Sequence, residues 1–174
     1  MESTRIYVAN LRLYNGGEIL GGWFTLPVSL YTVHDCLSLD GSEKYGEEWI
    51  ILDMENPYGL PISEYSYIDE LNSYVLQLEG LDSNILDNLS SILSFGAENL
   101  QEVLDNGGEN YIFTHESSME DVARAFVEDC GGIDHAIKRD HLEYYIAYDK
   151  LGRDMKIEGS YFEGNDGNLI SFIG

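Results

Sequence analysis

The chain of 174 residues carries 32 Asp plus Glu against 9 Lys plus Arg, a formal net charge of −23. That balance excludes a direct nucleic-acid binder and an anionic-membrane binder, because Lys and Arg supply most of the affinity for phosphate. With 44% hydrophobic and 12% aromatic residues the chain is not disordered, and its natural partners are basic.

The first third reads as β with one short helix. Arg5 to Leu11 is β-rich, Asn15-Gly16-Gly17 signals a turn, and Glu18 to Leu26 resumes an apolar strand containing Trp23 and Phe24. From Pro27 a helical stretch reaches about Leu37, with Leu30, Val33, His34 and Leu37 on one face. Trp49 to Leu52 is a third strand, closed by Asn56-Pro57 and Gly59-Leu60-Pro61.

The middle third is helical. Ser63 is the expected N-cap of a helix carrying Ile68, Leu71, Val75 and Leu78. Two further amphipathic helices are predicted over Ser83 to Phe95 and Ala97 to Leu104. The last third returns to α+β. It has a strand at Tyr111 to Thr114, and a helix opened by Ser118 with Asp121 in a capping-box pattern and stopped by Gly131-Gly132. A second helical pattern through Leu142, Tyr145 and Ile146 ends at Gly152. Strands at Met155 to Ile157, Tyr161-Phe162 and Leu169 to Ile173 follow, the last two joined by the turn Asn165-Asp166-Gly167. The fold class is therefore α+β, with an N-terminal α+β domain over 1–61, a central helical domain over 62–108 and a C-terminal α+β domain over 109–174.

No signal peptide precedes the first strand, and no stretch reaches the roughly 18 apolar residues of a membrane helix. A cytoplasmic protein is expected. Its two cysteines, Cys36 and Cys130, are then reduced structural thiols, and the Asn88-Leu89-Ser90 sequon carries no glycan.

Each chemistry that an acidic chain could support needs a pattern. Calcium needs an Asp-rich loop closed by Glu, which is missing. His34, His115, His135 and His141 lack zinc spacing, and neither a Gly-x-Ser-x-Gly elbow nor a phosphate-cradling glycine loop occurs. A glycoside hydrolase needs only two carboxylates beside aromatic platforms, which any acidic, Tyr-rich chain offers without specificity. No catalytic residue, cofactor or metal is assigned.

Position makes the charge informative. Between Lys44 and Arg124 lie 79 residues without a single Lys or Arg, and they hold 17 of the acids. An ordinary solvated face interleaves cations at helical spacing. A compact protein of this mass exposes about 8,600 Å², so even spreading gives one net charge per about 370 Å². B-DNA carries about one per 110 Å² of its cylinder. Concentrating the acids on about a third of the surface would equal the duplex. The candidate partner-binding acids are Glu47, Glu48, Asp53, Glu55, Glu64, Asp69, Glu70, Glu79, Asp82, Asp87, Glu98, Glu102, Asp105, Glu109, Glu116 and Glu120. Tyr7, Tyr14, Trp23, Phe24 and Tyr58 are expected in core and turn packing.

Several blocks resemble a known family. Ile6-Tyr7-Val8-Ala9-Asn10-Leu11, Tyr14-Asn15, Gly21-Gly22-Trp23-Phe24-Thr25-Leu26-Pro27, Asp53 to Tyr58, Ile68 to Asn72, Asp121 to Arg124 and Gly152-Arg153-Asp154 occur in the order and spacing of ArdA-type antirestriction proteins. The match covers nearly the whole chain, with one departure: Leu151 stands where Tyr is expected before Gly-Arg-Asp. The resemblance implies a non-enzymatic DNA mimic carried by mobile elements or phage. Such a protein would occupy the DNA groove of type I restriction-modification enzymes, formed by the methyltransferase core with its specificity subunit. It further implies an elongated chain of three small domains that dimerises through the last of them. Phe113, Met119, Val122 and Phe126 are then candidates for the dimer contact, and the other reading of the charge is a binder of some different basic protein.

Overall fold

A computed structural model describes residues 2–39, 49–132 and 145–174. The described residues form eight helices and two three-stranded antiparallel sheets, a mixed α+β fold. The N-terminal sheet has the order β2-β1-β3, from Arg5–Asn10 (β1), Gly21–Thr25 (β2) and Trp49–Glu55 (β3). Leu11–Asn15 (α1) bridges β1 and β2. It starts on Asn10, whose side chain accepts a hydrogen bond from the Leu13 amide and donates one to the Leu37 carbonyl.

Alternation along β1 buries Ile6 and Val8 and leaves Arg5 and Tyr7 on the outer face. The β1–β3 register shifts between Tyr7 and Val8: Val8 faces Ile51 while Tyr7 faces Asp53, so Leu52 is the extra residue of a bulge. This bulge sets Asp53 and Glu55, rather than Leu52 and Met54, opposite Tyr7 and Arg5.

Leu30–Leu37 (α2) covers the inner face with Val33 and Leu37. The core continues without a break through Ile68–Leu78 (α3), Ser83–Asp87 (α4), Leu89–Phe95 (α5) and Leu100–Asn106 (α6) to Tyr111 and Ile170 of the second sheet. That sheet has the order β4-β6-β5, from Tyr111–Phe113 (β4), Ser160–Glu163 (β5) and Leu169–Phe172 (β6). Phe95 stacks on Phe162 with centroids 4.3 Å apart, and Tyr111 meets both Phe162 and Phe172. Beside this core, Met119–Asp129 (α7) and Tyr148–Glu158 (α8) pack on each other through Val122, Ala123, Tyr148 and Gly152.

Five expectations from sequence are corrected. Ser63 does not cap α3; it pairs with the Ser66 hydroxyl in a preceding turn, and the helix starts after Tyr67. The segment Ser83 to Phe95 is two helices, because buried Asn88 turns its amide back onto the Asn84 carbonyl and breaks the run. The next helix starts at Leu100, capped by Asn99, rather than at Ala97. Gly152 lies inside α8 instead of ending it, and Met155 to Ile157 are helical, because that glycine serves close packing on α7. Most of the pattern around Leu142 lies outside the described residues.

Candidate partner-binding surface

Glu47 and Glu48 lie outside the described residues. Of the other candidate acids, Asp53, Glu55, Glu64, Asp69, Glu70, Glu79, Asp82, Asp87, Glu102, Asp105, Glu109 and Glu120 are exposed, while Glu98 and Glu116 are half-buried. The reason is helical geometry. In α3 the apolar residues Ile68, Leu71, Val75 and Leu78 take the inner face, and Asp69 and Glu70 are left outward.

Lysine and arginine hold few of these carboxylates. Among the described residues the ion pairs are Arg5–Glu55 at 2.8 Å, Arg124–Glu120 at 3.3 Å and Arg153–Asp154 at 3.8 Å, and their cations all lie outside the base-free window. Helix starts take the place of cations. Asp82 caps α4 through the Asn84 amide, and Glu102 closes a reciprocal capping box with Asn99. Asp69 and Glu70 occupy the first turn of α3, and Glu120 and Asp121 that of α7, where unpaired backbone N–H groups favour negative charge. At α7 the capping pattern is one-sided, since Asp121 accepts from the Ser118 hydroxyl instead of from its backbone. Glu70 accepts from the Tyr74 hydroxyl and Asp105 from the Gln101 amide, each one helical turn away.

Neutral amides tie the fold together across long stretches of sequence. Asn72 of α3 donates to the Val28 carbonyl at 2.7 Å and accepts from the Val28 amide at 2.8 Å. Asn165, in the β5–β6 turn, donates to the Asp87 carbonyl and accepts from the hydroxyls of Ser90 and Ser91. These ties leave carboxylates uncommitted.

Glu98 is the exception among the candidate acids. One of its oxygens accepts from Asn106 at 2.7 Å and Asn110 at 2.9 Å, joining the end of α6 to β4. Burial first, and the adjoining Glu98 charge second, push the Tyr111 phenol above the ordinary tyrosine range. Burial also raises Tyr58, and the hydrogen bond to Glu70 raises Tyr74. Hydrogen bonds from Asn168 hold Asp166 below its usual value.

The dimer candidates divide. Val122 is buried in the α7–α8 pair, Met119 is half-buried there, and Phe113 packs against the main core. Phe126 is exposed, as are Ile112, Ile157 and Ile173.

Of the motif aromatics, Phe24 and Tyr58 are buried as expected, but Trp23 is 39% and Tyr14 41% exposed. Strand alternation was the available signal, since Trp23 shares the outer face with Thr25 while Phe24 points inward. Cys36 and Cys130 are free thiols, and both are exposed. Among the described residues no three His, Cys, Asp or Glu side chains converge as for a metal ion, and no helix is long and apolar enough to cross a membrane. A cleft of about 390 Å³ between α5 and β5 is lined by Ser90, Ser91, Ser94, Phe95, Phe162, Glu163 and Asn165, a lining with one carboxylate and therefore no acid pair.

No curated protein matches the chain. The family profile described as antirestriction protein (ArdA), however, matches residues 6–169, from β1 into β6. That span takes in the N-terminal sheet but for Arg5, the second sheet as far as the first residue of β6, and all the described helices, and the chain belongs to the ArdA family of antirestriction proteins.

Proposed function

We propose that the protein is a DNA mimic that occupies the DNA groove of type I restriction-modification enzymes, formed by the methyltransferase core and specificity subunit, and so shields incoming DNA. The observation that carries this reading is the treatment of charge over the base-free window. Most of its described acids are exposed, and the carboxylates that are held are held mainly by backbone amides and neutral side chains. A basic groove therefore meets carboxylates that few internal cations neutralise.

Magnitude sets what the surface must do. The chain exposes 10672 Å², more than the compact expectation, so its 23 net charges average one per about 460 Å². Reaching the duplex value of about one per 110 Å² needs roughly fourfold concentration. Restricting cations to the two ends of the sequence is how the chain favours that concentration. A homodimer would lengthen the charged surface, and exposed Ile112, Phe126, Ile157 and Ile173 supply apolar area for it in the C-terminal segment.

Competition tests the reading. A labelled duplex carrying the recognition site is bound to a type I methyltransferase and titrated with the protein at moderate and high salt. Displacement at micromolar protein, weakening as salt rises, is expected. Unchanged duplex binding at micromolar protein and moderate salt would overturn it.

A further inference from the structure

The outer face of the N-terminal sheet carries an arrangement that a phosphate mimic does not require. Two cross-strand rows run over it: Trp23, Tyr7 and Asp53 in one, Thr25, Arg5 and Glu55 in the other. Tyr7 meets the Trp23 indole edge-on, with centroids 5.6 Å apart and planes at 69°. Gly21 makes this possible, because a Cβ there would come within 3.0 Å of the Tyr7 ring. The bulge at Leu52 delivers the two carboxylates to the same face.

One cation already sits on this surface. The Arg5 guanidinium lies 5.1 Å from the Trp23 ring centroid and donates to Glu55 at 2.8 Å, while its side chain and that of Glu55 stay 38% and 54% exposed. An indole face beside carboxylates is what a planar cation recognises, and the chain's own arginine demonstrates the fit. We infer that this face is a docking site for an arginine side chain of the partner enzyme, and that Arg5 is an internal stand-in which the incoming arginine displaces. The inference rests on the DNA-mimic reading, which supplies the partner: arginine is the commonest side chain that grips DNA bases and a frequent phosphate contact. Lysine suits the site less well, since it lacks the flat guanidinium that stacks on indole while pairing with a carboxylate.

The consequence is an inversion. Removing Arg5 should strengthen partner binding beyond what one lost positive charge does, and Arg12, exposed on α1, provides the charge-matched control. In the duplex-competition experiment, Arg5→Gln should bind about fivefold more tightly than Arg12→Gln, the scale of one exposed cation–π contact. Trp23→Leu, which keeps apolar area but removes the indole, should weaken binding and cancel the advantage of Arg5→Gln in the double variant. Equal affinities for Arg5→Gln and Arg12→Gln would overturn the inference and leave the mimicry standing.

A second arm needs no restriction enzyme. Acetyl-Arg-Gly-Arg-amide, titrated into Arg5→Gln, should shift the Trp23 indole N–H resonance at lower concentration than its lysine counterpart does, and should shift it less in Arg12→Gln. No preference for arginine would overturn the site. Arginine capture in this arm, with no displacement of duplex by the wild-type protein, would instead sink the mimic reading while the site held.

Discussion

Gly152, in the middle of α8, lies directly against the backbone carbonyl of Met119 at the start of α7, so closely that a Cβ would overlap the carbonyl oxygen. A glycine costs a helix interior about 1 kcal/mol relative to alanine, so its presence there is explained by packing. Arg124 lies over the Tyr148 ring at 4.3 Å in the same helix pair, which fixes how the two helices meet. Gly152→Ala is therefore expected to destabilise by about 1–3 kcal/mol despite its better helix propensity. Urea unfolding checks this. A stabilised variant would mean that α7 and α8 do not meet at this point.

Asn72 makes both of its polar contacts with one residue, Val28, spanning the sequence from α3 back to the entry of α2. Asn72→Ala leaves a partly buried amide and carbonyl without partners, and should cost about 1–3 kcal/mol. Asn72→Asp keeps the acceptor for the Val28 amide but sets a carboxylate against the Val28 carbonyl, so it should be the worse substitution at neutral pH. Comparing their thermal unfolding midpoints separates a specific pairing from simple loss of volume.

Salt should act in opposite directions on folding and on binding. Within the base-free window the acids repel one another, and among the described residues only Arg5 and Arg124, from outside it, pair with any of them. Screening shortens that repulsion to about 8 Å at physiological ionic strength and to about 3 Å at 1 M. Stability should therefore rise between low and molar salt while affinity for the enzyme falls. Unfolding midpoints that fall over the same range would show that attraction, and not repulsion, dominates the surface.

Alkali should act on three tyrosines whose surroundings disfavour the phenolate. Tyr58, Tyr74 and Tyr111 are all raised above the ordinary value, Tyr111 by burial and the charge of Glu98. A group with a raised folded-state value contributes stability below its unfolded value, and that contribution is lost as pH rises through the folded one. Stability should thus hold to about pH 10 and fall above it. In an ultraviolet titration Tyr111 should be the last of these three to ionise, coincident with unfolding. In Glu98→Gln the same phenol should titrate earlier.

Much of the architecture was legible before folding was considered. Apolar periodicity placed the buried faces of α2 and α3, since Val33, Leu37, Ile68, Leu71, Val75 and Leu78 recur at helical spacing and are all buried. Turn chemistry placed the β5–β6 hairpin at Asn165-Asp166-Gly167, and the family blocks carried the antirestriction assignment. Errors fell where one residue type serves two ends. A glycine reads as a helix stop from its conformational freedom, yet Gly152 is used for its lack of a side chain. A serine reads as a cap, yet Ser63 found a nearer hydroxyl.

The sequence by itself determined the sign and placement of the charge, because a gap in Lys and Arg along the chain survives any folding. It also determined the fold class, which follows from local periodicity. Only the tertiary structure decided which acids remain outward and which, like Glu98, are spent on internal hydrogen bonds. It alone showed Trp23, Arg5 and Glu55 meeting on one face. Strand register and a single-residue bulge bring together positions 5, 23 and 55, and register is a property of pairing that no one segment encodes.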